Sequence, residues 1–317
     1  MFPCPSFTRL EEIPTLASQG MMFMEEIIFV GIPFYSQAKY QGMGKAVESL
    51  RKAGIVQSLR TTHLSVSDIG DVECPPIPQD KGPRNLKNFE AFLEGTRRVK
   101  EKLSREAKKS SITFCLGGEC TFIVGSLAAL KTVYKGKPGL LWLDAHGDYN
   151  TPETTPSGFI GGMCLAMACG LGPKLSSNIE NLRPLLEPER VVHVGSRALD
   201  PGEGEALRGS VTVYDAKTVK QQGAKQTARS AAKLLTESSD WIIAHLDVDV
   251  LDPSVIPGVN FPEPGGLTQN EVLDTFRELQ STGKLRVVDL TAYNPARDVN
   301  SQARSVLLDL APKLVAT

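Results

Sequence analysis

The sequence predicts an α/β fold built on a buried, mainly parallel central sheet. Three observations carry this. Short, almost wholly apolar runs recur along the chain, segments of helical period separate them, and clusters of Asp and His stand at the ends of two of the runs. Strands of a parallel sheet read as continuous apolar stretches because helices cover both of its faces. With 317 residues, 41% hydrophobic and 22% charged, the chain can bury a core of that size and lacks the composition of a disordered one.

Residues 1–26 carry weak pattern and read as an N-terminal extension ahead of a single domain over 27–317. IIFVGIP (27–33) is the first strand, ended by Gly and Pro, and AVESLRKAG follows as a helix that Gly54 stops. ECPPIPQDKGPRN (73–85) is a Pro-rich loop, 86–109 is helical in period and charge, and ITFCLGG (112–118) is the second strand. A helix over 121–132 leads to GLLWLDAHGD (139–148), read as the third strand, and then to the polar loop YNTPETTPSGFIGG (149–162). RVVHVGSR (190–197), VTVYD (211–215), WIIAHLDVDV (241–250) and LRVVDL (285–290) are further strands. No repeat, low-complexity tract or interior linker interrupts the series.

Charge and targeting exclude several classes. The formal charge is -1, from 35 basic and 36 acidic residues, so nothing draws the chain generally toward nucleic acid or an anionic membrane. No apolar run approaches the roughly 18 residues that span a bilayer. The start, MFPCPSFTRLEEIPTL, has no basic stretch followed by an apolar core. Six cysteines without a CxxC pair read as reduced thiols, and the expected location is cytoplasmic.

Ligands of open parallel sheets bind beyond the carboxyl ends of the strands, and the polar clusters stand there. Asp144, His146 and Asp148 follow LLWL, and Asp247 and Asp249 follow WIIAHL. Alternation along extended chain predicts that each set projects to one side. Four carboxylates and an imidazole in one cleft would repel strongly without cations, and they suit two divalent ions of the kind that activate water for hydrolysis. Asp252, before a Pro, reads as a turn residue. His63 and His193 read as satisfied structural residues. His245 shares the parity of 247 and 249 and is expected beneath the cations.

DAHGD (144–148) and DVDVLDP (247–253), with the GG pair at 117–118 and GGLT at 265–268, resemble the signatures of the arginase/agmatinase (ureohydrolase) family. The resemblance runs from about residue 27 to 313. It implies a three-layer α/β/α fold, two Mn2+ ions, homotrimers or hexamers, and release of urea from a guanidino compound. It makes Asp144, His146, Asp148, Asp247 and Asp249 metal ligands, with His146 and Asp148 also placed in the catalytic machinery. The arginase branch looks closer. Asn150, Thr155 and Ser157 are similar to the loop that grips an amino acid's carboxylate, and Asp200 and Glu203 to the segment that receives its α-amino group.

Three positions depart from the family pattern. Cys120 stands where the first motif carries a ligating His, and a thiolate admits Zn2+, Fe2+, Co2+ or Ni2+ beside Mn2+. Gly161 aligns with a loop His that shuttles protons. Ala292 replaces the Glu that holds the guanidinium, and Glu263 is the candidate to substitute for it. The expected function is therefore binuclear hydrolysis of a C–N bond in an amidine or guanidino compound with an amino-acid head: arginine or a derivative such as N-hydroxyarginine. The alternatives are altered chemistry on another amino-acid-derived substrate, or a catalytically weak relative kept for binding or assembly.

Overall fold

The structure, a computed structural model, describes residues 26–316. The expected extension lies, but for Glu26, outside the described residues. Eight strands form one sheet: β1 (Glu26–Ile32), β2 (Ser65–Asp71), β3 (Ser111–Gly117), β4 (Pro138–Leu143), β5 (Val191–Val194), β6 (Thr212–Tyr214), β7 (Trp241–Asp247) and β8 (Leu285–Thr291). Their order is β2-β1-β3-β8-β7-β4-β5-β6, and every pairing is parallel.

The three layers follow from side-chain alternation. Ile27 and Phe29 of β1 and Phe114 of β3 enter a core beneath the helices Ala46–Lys52, Gln269–Gln280 and Gln302–Lys313. Val30, Ile32 and Cys115 enter a second core beneath Phe89–Glu106 and Ile123–Val133. Gln269–Gln280 starts at a capping box, in which Thr268 and Glu271 each accept from the other's backbone N–H. Gly54 does stop the first helix, at φ 95°, where a side chain would be strained.

Two expectations about strands are corrected. β2 was not anticipated, because SVSDIGD has no apolar run. It is an edge strand paired to β1 alone, and every one of its residues is partly or fully exposed. The strands read as 139–148 and 241–250 also end early, at Leu143 and Asp247. Both Asp clusters therefore lie largely in the turns after the strands. Those turns sit side by side, since β3, β8, β7 and β4 are consecutive in the sheet. Among the described residues no helix is long and apolar enough to cross a membrane.

Candidate metal centre

The two Asp clusters converge through hydrogen-bonded turns. Asp144 Oδ1 accepts from the backbone N–H of His146 at 2.7 Å, and Asp247 Oδ1 from that of Asp249 at 2.8 Å. In each, the carboxylate captures the amide two residues on, a bond that short acidic side chains make readily. Asp148 adopts a left-handed backbone, φ 47°, so strand alternation does not orient it as the sequence suggested. Asp249 Oδ1 accepts from the Ala145 N–H at 3.2 Å and ties the two turns together.

Two donor sets result, and they share Asp144. Cys120 Sγ and carboxylate oxygens of Asp144 and Asp247 lie within 4.8 Å of one another, as do ligand atoms of Asp144, His146 and Asp249. Cys120 Sγ, just beyond β3, points at Asp247 Oδ2, 2.9 Å away, with the Thr291 hydroxyl at 3.3 Å. His146 Nδ1 stands 3.2 Å from Asp249 Oδ2 and 3.4 Å from Asp144 Oδ1. Asp148 belongs to neither set, although its buried carboxylate faces the same cavity.

The electrostatics fit bound cations. Burial and the neighbouring Asp249 raise the carboxyls of Asp144 and Asp247 above the ordinary range. Burial and Asp144 do the same to Asp148. Burial opposes charge on His146, yet Asp249 and Asp144 push it up to about 12, and His146 in turn holds Asp249 low. The Cys120 thiol is pushed well up by burial and by Asp247, Asp148 and Asp144. Buried anions this close are costly unless paired or metal-bound. Oxygen, nitrogen and sulfur donors split into two sets suit a pair of divalent ions.

The cavity has a volume of about 380 Å³, and every site residue expected from the sequence lines it. In its lining Asn150 Nδ2 donates to Asp200 Oδ2 at 2.9 Å. Glu203 lies beneath, accepting from the backbone N–H groups of Tyr149 (3.0 Å) and Asp200 (2.9 Å). The Thr155 and Ser157 hydroxyls accept from the Gly158 and Phe159 N–H groups within their own loop. Glu263 reaches the cavity from a loop whose carbonyl Arg197 holds at 2.8 Å.

The model of the arginase family matches residues 25–316. The chain belongs to the arginase family. An arginase from Bacillus caldovelox is 30% identical over 294 residues, covering 92% of this chain and 98% of that one. Its solved structure superposes with a TM-score of 0.86, at 30% identity, over 93% of this chain and 99% of that one. The Entamoeba histolytica arginase solved in complex with L-ornithine gives a TM-score of 0.83 at 28% identity, over 93% and 99% of the two chains. Like its family, this protein is a hydrolase of non-peptide C–N bonds in linear amidines.

Several residues of this arginase-family site carried no signal in the sequence. Arg197 donates to the carbonyls of Asp249 (2.7 Å) and Glu263 (2.8 Å), joining the metal turn to the Glu263 loop. Trp142 Nε1 donates to Asp144 Oδ2 at 3.1 Å. The Cys164 thiol stands 3.4 Å from Asp148 Oδ2. Glu119, buried with Oε2 unpaired, is raised by burial to about 7. All but the Trp142–Asp144 bond join residues far apart in the sequence, and no local pattern announces any of them. Asp252 is the turn residue expected, accepting from the Ser254, Gly265 and Gly266 N–H groups.

His245 is fully buried and stacks at 3.9 Å on Trp142, the residue whose indole donates to Asp144. His193 is structural but not satisfied. Burial lowers it to about 3, and the backbone of His146 works against that shift without a normal hydrogen bond to either ring nitrogen. Between about pH 6.5 and 3 the unfolded chain therefore binds one more proton than the folded chain at this residue. Its contribution to stability is complete above about pH 6.5 and falls on acidification by up to about 1.4 kcal/mol per pH unit. His193→Leu is expected to flatten the pH dependence of the urea-unfolding free energy by about that slope between pH 6 and 4. Equal slopes in both proteins would show that His193 is not held neutral.

Proposed function

We propose that this protein is a binuclear-metal hydrolase of an amidine or guanidino compound with a free amino-acid head, an arginine derivative being preferred to arginine. One observation carries the reading: two donor sets sharing Asp144, buried except for the part-exposed His146, line one cavity with Asn150, Ser157 and Asp200. Cys120, Asp144 and Asp247 would hold one ion and Asp144, His146 and Asp249 the other, with Asp148, outside both sets but lining the same cavity, as a further ligand. Mn2+ is the first expectation, with Zn2+, Fe2+, Co2+ or Ni2+ admitted by Cys120. Bound there, two ions supply positive charge that acidifies water and stabilises charge developing on the amidine.

The chain's own groups do the rest. Asn150 Nδ2 and the Ser157 hydroxyl offer donors to a substrate carboxylate, and Asp200 offers an acceptor to its α-ammonium. Glu203 orients Asp200 through its backbone N–H. The complex of the Entamoeba histolytica arginase with L-ornithine supports an amino-acid head. Asp148 and His146 face the reacting group, where they can hold or pass a proton. At the far end of the substrate, Ala292 brings a methyl group where the family resemblance places a Glu, so a cationic guanidinium meets less compensation. Glu263 lines the same cavity as a second acidic group. A small substrate fits this cavity, and homo-oligomerisation in the cytoplasm completes the proposal.

A product screen over arginine, hydroxyarginine, agmatine and formiminoglutamate tests this reading. L-Arginine is expected to turn over well below an ordinary enzymatic rate of about 10 s⁻¹. Agmatine, lacking the carboxylate, is expected to lose roughly 1.5–3 kcal/mol per missing charge-assisted hydrogen bond, about 10- to 150-fold in kcat/KM. Efficient hydrolysis of agmatine with arginine ignored would remove the amino-acid head from the proposal. Urea release from arginine at about 10 s⁻¹ or more would remove the preference for a derivative.

A further inference from the structure

The cavity contains an aromatic surface that neither the metal sets nor the amino-acid rim uses. The rings of Tyr40, Phe159 and Phe261 pack on one another, with centroids 5.0 Å apart for Tyr40–Phe159, 5.0 Å for Tyr40–Phe261 and 6.0 Å for Phe159–Phe261. Phe261 also meets the His146 ring nearly edge-on, at 5.7 Å and 73°. Phe159 and Phe261 line the cavity and are only half-buried, which leaves aromatic surface beside a candidate metal ligand.

The surrounding positions are cleared for these rings. A Cβ at Gly161 would lie 2.5 Å from Cε1 and Cζ of Phe159, so the ring occupies the volume that a side chain there would need. Ala292 lines the cavity with a methyl group on a left-handed backbone, φ 70°, a conformation that a β-carbon makes uncommon. Met43 adds a further apolar wall. Strained backbone persists where the surrounding structure fixes it, and such positions cluster at ligand sites. A bare guanidinium can stack on a ring face, yet it leaves uncovered the apolar surface that Met43 and Ala292 add beside the rings. An alkyl group on the amidine nitrogen would cover it.

We propose that Phe159 and Phe261, backed by Tyr40, form a subsite for an apolar substituent on the substrate's amidine, so that N-alkylated guanidino compounds are favoured over the bare guanidinium. The inference rests on the hydrolase reading of the same site. Water adds its oxygen to the amidine carbon, and the C–N bond to the amino-acid side breaks. The departing nitrogen takes a proton from that water, giving a free amine and an N-alkylurea.

The test compares L-arginine with its Nω-methyl and Nω-propyl derivatives on the metal-loaded enzyme. It follows N-alkylurea by mass spectrometry and binding by calorimetry. The wild type is expected to favour the propyl compound over arginine by about tenfold or more in kcat/KM, within the 10- to 200-fold that a methylene in a fitted pocket contributes. Phe159→Ala and Phe261→Ala are expected to reduce that ratio about tenfold, and Phe159→Leu to keep most of it, which a general loss of structure would not reproduce. Preference for arginine, or a ratio unchanged in both alanine variants, overturns the subsite. If all three compounds bind in the predicted order but none is hydrolysed, the subsite stands and the guanidino substrate of the proposed function falls.

Discussion

Asp247→Asn is expected to strip the chain of its divalent metal and abolish hydrolysis while leaving the metal-free protein no less stable. Asp247 ends β7, is buried, and presents one oxygen to Cys120 Sγ while the other holds the Asp249 turn. The amide keeps the shape and retains an oxygen for the Asp249 N–H, but it removes a negative charge from a crowded set. Without metal the change costs little, since burial and Asp249 already push the Asp247 carboxyl well up, toward the neutral form that the amide imitates. With metal it deletes a ligand. Elemental analysis of the wild type, purified without chelator, is expected to give about two ions per chain, and the variant fewer than one. At 100 times the dissociation constant, metal should stabilise the wild type by about 2.7 kcal/mol against urea and the variant by far less. Hydrolysis should fall by at least about 10³, equivalent to roughly 4 kcal/mol of lost transition-state stabilisation. Less than about half an ion per chain in the wild type after Mn2+ loading would end the two-metal reading.

The apolar strands were legible because full burial on both faces leaves a plain sequence mark. β4 and β7 are six and seven residues long, and all are buried. β2 was not, because one of its edges is open and polar side chains are tolerated there. The ligand candidates were legible as a set of residue types, yet strand alternation is not what makes them converge. Alternation along extended chain does not operate past Leu143. Side chain to backbone bonds at Asp144 and Asp247, and a left-handed Asp148, bring them together. Arg197, Trp142 and Cys164 escaped because their significance lies in partners far along the chain or across a turn. The Phe159 ring over Gly161 escaped because a missing side chain shows its purpose only when its neighbour is seen.

Cys120→His is expected to move metal preference toward Mn2+ and to change the proton balance of metal binding. The thiol is buried, and its sulfur is directed at the carboxylates of Asp247 and Asp144. That placement supports a ligand over a small apolar filler, which is how most free cysteines behave. Thiolate is a soft donor and imidazole a harder one, so the replacement should raise affinity for Mn2+ relative to Zn2+ or Co2+ by about tenfold or more. Burial and three neighbouring carboxylates hold the Cys120 thiol in its protonated form. Metal binding through sulfur must therefore expel that proton. Above the variant histidine's own titration midpoint, followed by NMR in the metal-free protein, that histidine is neutral and expels none. Calorimetry in buffers of different ionisation enthalpy should show the wild type releasing about one proton more than the variant, and the Co2+-loaded wild type should carry a sulfur-to-metal charge-transfer absorption that the variant lacks. Equal proton release, with no such absorption in either protein, would make Cys120 a packing residue and leave the first ion with carboxylate ligands only.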